Sequence, residues 1–197
     1  MSQSAPNAPA PYLISDLTFA SHVLGISEQM VQDLDSCIYT KDLFRSCVAE
    51  QLGGKLPSSL TVAQRYILAQ QVEELSVLVL RIGCVVQARA ILALVNGDTV
   101  RHLAQRTTPH LMQDAAWKPA FSAAADVSQA SLEALAKAIQ ESGCVVLQAW
   151  CEAQPVSVAL RVRSFLPAPP PTVAFAYALE NAVHVVDAFV AERLCDN

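Results

Sequence analysis

The chain has 197 residues, 53% of them hydrophobic, with only six glycines, 6% aromatics and a formal charge of −5 at pH 7. That length and apolar content suffice for one continuous core without staples, and the abundance of alanine, leucine and valine beside so few glycines disfavours a sandwich or barrel built on tight turns. An acidic balance with no basic run excludes a large sequence-independent attraction to nucleic acid.

In chain order, residues 1–11 hold three prolines and little to bury, which predicts a flexible tail ahead of a helical body over 12–166. Gly25-Ile26-Ser27 offers a turn and a cap for a first helix to about Cys37. Thr40 is placed to cap a second helix through Leu52, ended by Gly53-Gly54. Thr61 with Gln64 matches a capping box, and Ile67, Val72, Leu75, Val79 and Ile82 then recur at helical spacing, which predicts a largely buried helix. Gly83 is a candidate break or kink before a second apolar segment, Cys84 to Val95, that Asn96-Gly97 would close in a left-handed stop. Asp98 then caps a short helix through Gln105, and Thr107-Thr108-Pro109 turns into another short piece, His110 to Ala116.

The segment 117–126 is ambiguous, open to a loop or a short strand. Ser128 is expected to start a helix that stops at Gly143, with Cys144 to Glu152 continuing helically. Pro155 suits the first turn of one more helix through Phe165, since its missing amide proton would go unpaired there anyway. Residues 167–171, with four prolines in five, read as an extended spacer, and 172–197 as a final helix that packs on the body or on a partner. The expected fold is mainly α, a compact multi-helix single domain, with a short strand or irregular stretch near 117–126 left open.

Residues 75–95 are long enough to span a bilayer, but Arg81 and Arg89 would each cost about 2.5–3.5 kcal/mol near its middle. A buried helical pair is the better reading. The first residues carry neither a positive n-region nor an apolar h-region, which predicts a cytoplasmic protein. Six dispersed cysteines lack ligand spacing, and Cys84, Cys144 and Cys151 lie in apolar helical sequence where a thiol serves as a small hydrophobe. The four histidines form no H-x-x-x-H pair, the carboxylates look like solvated faces, and neither a phosphate-cradling glycine loop nor Gly-x-Ser-x-Gly is present. The expectation is therefore a protein that is not an enzyme, with no catalytic residues, no metal, no cofactor and no small-molecule substrate.

The arginines are more suggestive, because a guanidinium pairs bidentately with carboxylates while its stem covers apolar surface, as at protein interfaces. Arg89, Arg101, Arg161 and Arg163 are the candidate partner contacts, with Trp117 as a candidate exposed anchor and Trp150 assigned to the core.

Two stretches carry a resemblance. The first is Leu80-Arg81-Ile82-Gly83-Cys84 through Arg89-Ala90-Ile91, then Val100-Arg101 and Leu103. The second runs from Gly143 through Leu147, Ala149 and Trp150 to Leu160-Arg161 and Leu166-Pro167. In order and spacing they resemble the SctK family (YscK, OrgA and MxiK-like), accessory proteins of bacterial type III secretion sorting platforms. The resemblance implies a cytosolic adaptor, peripheral to the inner-membrane secretion complex, that links the cytosolic domain of an SctD-like ring protein to an SctQ-like pod protein. Two other classes remain open at this point: a helical secretion chaperone or regulatory adaptor, and an enzyme whose cysteine or metal site is assembled from distant residues.

Overall fold

The computed structural model describes residues 20–21, 24–122, 131–166 and 179–194, and among them every regular element is helical. The elements are α1 (Glu28–Ser36), α2 (Lys41–Gln51), α3 (Val62–Leu68), α4 (Val72–Val86), α5 (Ala88–Leu92), α6 (Gly97–Arg106), α7 (Leu111–Trp117), α8 (Leu132–Glu152), α9 (Val156–Arg163) and α10 (Leu179–Phe189). A single 3-10 turn, Pro119–Phe121, follows α7, and a π-helical turn, Val190–Leu194, ends α10. The mainly-α expectation therefore holds. Over 117–122 there is a helix end and the 3-10 turn rather than a strand, while 123–126 lie outside the described residues, as do the tail at 1–11 and the spacer at 167–171.

The molecule is organised around the crossing of α4 and α8. A Cβ placed on Gly83 would fall 1.9 Å from the carbonyl oxygen of Ile139, and one on Gly143 would fall 1.9 Å from that of Val79. Since 83 meets 139 while 79 meets 143, the two helices run antiparallel, each glycine seated on the other helix's backbone one turn before its partner glycine. Both glycines stand before the same tripeptide, Cys84-Val85-Val86 and Cys144-Val145-Val146. Neither breaks its helix, contrary to the sequence expectation: α4 runs on to Val86 and α8 is continuous over 21 residues. The absent side chain serves close approach, and packing of the flanking residues outweighs the modest helix penalty of glycine.

Each face of this crossing carries its own core. On one side Leu75, Leu78, Val79 and Ile82 of α4 meet Leu147, Trp150 and Cys151 of α8, Val158 and Val162 of α9, and Val185, Val186 and Phe189 of α10. On the other, Cys84, Ala88, Ile91, Leu103, Leu111 and Ala115 enclose Leu135 and Ile139. A third, smaller cluster, Val31, Phe44, Val48 and Leu52, holds the α1–α2 hairpin together and reaches the body through Phe165. The C-terminal helix packs within its own chain, with Trp150 Nε1–H donating to Asp187 Oδ1 at 2.9 Å.

Helix ends follow local chemistry. Ser27, Thr61 and Ser131 accept from the amides of Met30, Gln64 and Ala134, and the capping box Thr61–Gln64 is complete in both directions. The expected start at Ser128 lies outside the described residues, whose first helical turn there is capped by Ser131. A second box, Gln71 with Glu74, begins α4, so the run from Ile67 to Ile82 is two helices rather than one. Asn96 does not provide a left-handed stop. It has φ −87° and caps α6 by accepting from Asp98 N–H, which places Asp98 in the first turn instead of at the cap. Left-handed backbone among the described residues is confined to Gly25, Gly53 and Gly54. Thr40 makes no side-chain cap either; its hydroxyl donates to Leu34 O at 2.9 Å and ties α2 to α1.

Candidate protein-binding surfaces

The charged groups of the interior hold helices together. Arg81 on α4 donates from Nε and Nη2 to the two carboxylate oxygens of Asp114 on α7, at 2.8 and 2.9 Å, and Asp114 is wholly buried. Arg193 approaches the same carboxylate at 3.8 Å, and the Arg81 guanidinium lies 5.2 Å from the centre of the Phe189 ring. Pairing with Asp114 raises the pKa of Arg81, so the guanidinium stays charged. One buried carboxylate thus joins α4, α7 and the C-terminal turn, with Lys118 Nζ to Glu192 Oε1 at 2.6 Å as an outer clasp.

Of the residues expected to contact partners, Arg161 is buried and its Nη1 donates to the carbonyls of Ser157, Leu52 and Gly54 at 2.8, 3.3 and 3.4 Å. It fastens the end of α2 to α9 and offers nothing to a partner. Trp117 is half-buried rather than an exposed anchor: its ring packs edge-on against Phe189 at 5.2 Å, beside Phe121 at 5.8 Å, and under the Lys118 ammonium at 4.8 Å. Arg163 is exposed and lies 3.4 Å from Glu152. Arg101 is exposed and pairs with Asp98 one turn earlier at 2.9 Å. Arg89 is exposed on α5; its backbone amide donates to Ser122 Oγ, and its side chain has no ion pair among the described residues. Arg89 lies on α5 and Arg101 on α6, on either side of the corner at residues 93–96.

That corner is apolar as well as basic. Leu92 is 42% exposed and Val95 is 99% exposed, in the stretch that leads from α5, which carries Arg89, to α6, which carries Arg101. Arg106, at the opposite end of α6 from that corner, lies 3.3 Å from Glu133 in the first turn of α8, with both side chains open to solvent.

A second surface lies on the α1–α2 hairpin. At its tip Ile38, Tyr39 and Leu43 are 79, 90 and 70% exposed, beside Asp42 and the Asp35–Arg45 ion pair at 2.6 Å. This hairpin joins the body beyond the C-terminal end of α8, where Gly53 sits against Val156 and Arg161 holds Leu52. Monomers seldom leave contiguous apolar side chains so open, and such clusters mark interaction sites. Reading from residue type missed the tip. The available signal was Ile38-Tyr39 standing in a turn between two helices whose buried positions are already filled by Val31, Phe44 and Val48.

The thiols divide by burial. Desolvation pushes Cys84 and Cys151 up to about 12, where they act as small apolar groups. Cys37, at the end of α1, is held below the usual thiol value by the polar surroundings of the turn, first the Thr40 side chain and then the backbone amides of Tyr39 and Thr40. Among the described residues no three histidine, cysteine or carboxylate groups gather closely enough to hold a metal ion. No described helix is long and apolar enough to cross a membrane.

The chain matches no protein-family model, no curated protein and no solved structure. Its functional reading rests on its own surfaces and on the sequence resemblance.

Proposed function

We propose that this protein is a non-catalytic adaptor of a bacterial type III secretion sorting platform, working in the cytoplasm beside the inner-membrane complex. It would hold the cytosolic domain of an SctD-like ring protein to an SctQ-like pod protein. The observation that carries the reading is the pair of exposed apolar clusters, Ile38, Tyr39 and Leu43 on the α1–α2 hairpin and Leu92 and Val95 after α5, on a body built around α8. That helix of 21 residues is about 31 Å long at 1.5 Å per residue. A bridging protein needs two separated contact surfaces and a stiff body between them, and the glycine crossing with its two cores supplies such a body. The charged groups best placed for chemistry, Arg81, Asp114 and Arg161, are occupied in holding helices together. The resemblance through residues 80–103 and 143–167 supplies the identity of the partners.

Co-expression of the full chain with the ring-protein cytosolic domain and the pod protein, followed by affinity capture, tests the reading. Both partners are expected in the captured complex. Exchange of Arg89→Glu with Arg101→Glu is expected to weaken capture of one partner by about tenfold or more while sparing the other. Failure to capture either partner sinks the proposal, as does turnover of a small compound that is abolished by changing one side chain.

A further inference from the structure

Residues 12–19, which lie outside the described residues, include five bulky apolar side chains, Tyr12, Leu13, Ile14, Leu17 and Phe19, whereas residues 2–11 hold none. Leu13 and Leu17 share a helical spacing with Ala20. Ala20 is wholly buried, in the same cluster as Val31, Phe44 and Val48 of the α1–α2 hairpin. The chain therefore enters the described structure already packed against that hairpin, and Gly25, left-handed at φ 62°, turns it into Ser27, which caps α1. Eight residues separate Ala20 from Tyr12, a span of about 12 Å as helix and up to about 29 Å extended, while Val31 lies about 8 Å along α1 from Ser36 at the tip. The tip is thus within reach. It also suits such an occupant: Ile38, Tyr39 and Leu43 stand bare there, Asp35 and Asp42 balance Lys41 and Arg45 around them, and Asp16 is the one charged side chain in residues 1–19. Both surfaces are apolar and nearly uncharged, so removal of area from water is the force that joins them.

We propose that residues 12–19 dock on the α1–α2 tip of their own molecule and cover Ile38, Tyr39 and Leu43. The short link through Ala20 keeps segment and tip together at an effective concentration on the order of millimolar, so a modest apolar contact suffices to hold them. The inference goes beyond the adaptor reading and does not depend on it. If both hold, a ring or pod protein that takes the tip displaces the segment, and residues 12–19 act as an internal competitor for that partner.

Hydrogen–deuterium exchange of the full-length protein, read by mass spectrometry at about 1 and about 50 μM, is the test. Amides of residues 13–19 are expected to exchange about tenfold or more slowly than in an unfolded chain, equally at both concentrations, while residues 2–10 exchange at the unfolded-chain rate. A tip variant, Tyr39→Ser with Leu43→Ser, is expected to return residues 13–19 to that rate. Unchanged exchange over α4 and α8 verifies that the variant folds. A segment variant, Leu13→Ser with Leu17→Ser, is expected to do the same and to speed exchange over residues 37–43. Unfolded-chain exchange over residues 13–19 of the wild type overturns the inference. Protection that the tip variant leaves intact also overturns it, because the segment then packs elsewhere, and protection seen only at the higher concentration assigns the cover to a second copy instead. An unprotected segment in a protein that captures the ring and pod proteins defeats this inference alone, whereas a segment that behaves as expected in a protein that captures neither defeats the adaptor reading alone.

Discussion

Arginine side chains of the same type do opposite work here, and burial separates them. Arg81 and Arg161 are spent inside, one on a carboxylate and the other on three carbonyls, while Arg89 and Arg101 face solvent. Because Asp114 is wholly buried, removing it leaves a guanidinium without its bidentate partner. Asp114→Ala is expected to cost about 3–5 kcal/mol in chemical denaturation, and Arg81→Met combined with Asp114→Leu should cost less than the single change because no charge is then stranded. Equal losses in the single and double variants would refute that account. Thiol chemistry offers a second test at this scale. At pH 8 a thiol reagent should label Cys37 and Cys47 in the folded protein, while Cys84 and Cys151, pushed up to about 12, should react only after unfolding.

Among the elements, the α4–α8 crossing decides the architecture. A methyl group on Gly83 or Gly143 meets a backbone carbonyl, which cannot rotate aside as a side chain could. Gly83→Ala and Gly143→Ala are each expected to cost about 3 kcal/mol, lowering Tm by about 6–12 °C. An exposed control, Gly97→Ala, meets nothing within 4 Å and should change Tm far less. A similar response at all three glycines would show that backbone freedom, not helix approach, is what matters. The same crossing explains why two helices that sequence reading would have interrupted at glycine continue without a break. A glycine in a helix ends it only when tertiary packing gives nothing back, and here it permits two cores to form on either side of one helix pair.

For the whole molecule, pH dependence follows from the peripheral clasps. Hydrogen bonding from Arg45 holds the Asp35 carboxyl below its ordinary value, and Lys118 does the same for Glu192. A carboxyl with a depressed folded-state pKa adds stability above its unfolded value, and that contribution is lost as pH falls through the folded one. The melting temperature should therefore be nearly flat around neutrality and decline below about pH 4. Replacing Arg45 with Gln should reduce part of that acid slope while leaving Asp35 exposed to solvent. An unchanged slope in Arg45→Gln would place the acid sensitivity elsewhere. The Asp35–Arg45 pair ties α1 to α2, and the Lys118–Glu192 pair ties the C-terminal turn to the end of α7, so acid weakens these two peripheral contacts.

Composition, periodicity and caps determine which residues become helix, because these depend on neighbours within a turn or two: Ser27, Thr61 with Gln64, and Gly53-Gly54 all act where the sequence places them. Core membership was legible for the same reason, as with Trp150 in its apolar run. The division of helices at Gln71 and Asn96 was harder, since glutamine and asparagine cap only if the adjoining helix is aimed to receive them. What only the tertiary structure decided is which charged and apolar side chains were left over. Whether an arginine is a clamp or an interface depends on what lies within about 3 Å of its fork, and residues such as Leu52 and Arg161, or Arg81 and Asp114, are brought together from far apart in the chain. Periodicity records a side chain's face on its own helix, while its partner is chosen by how the helices cross.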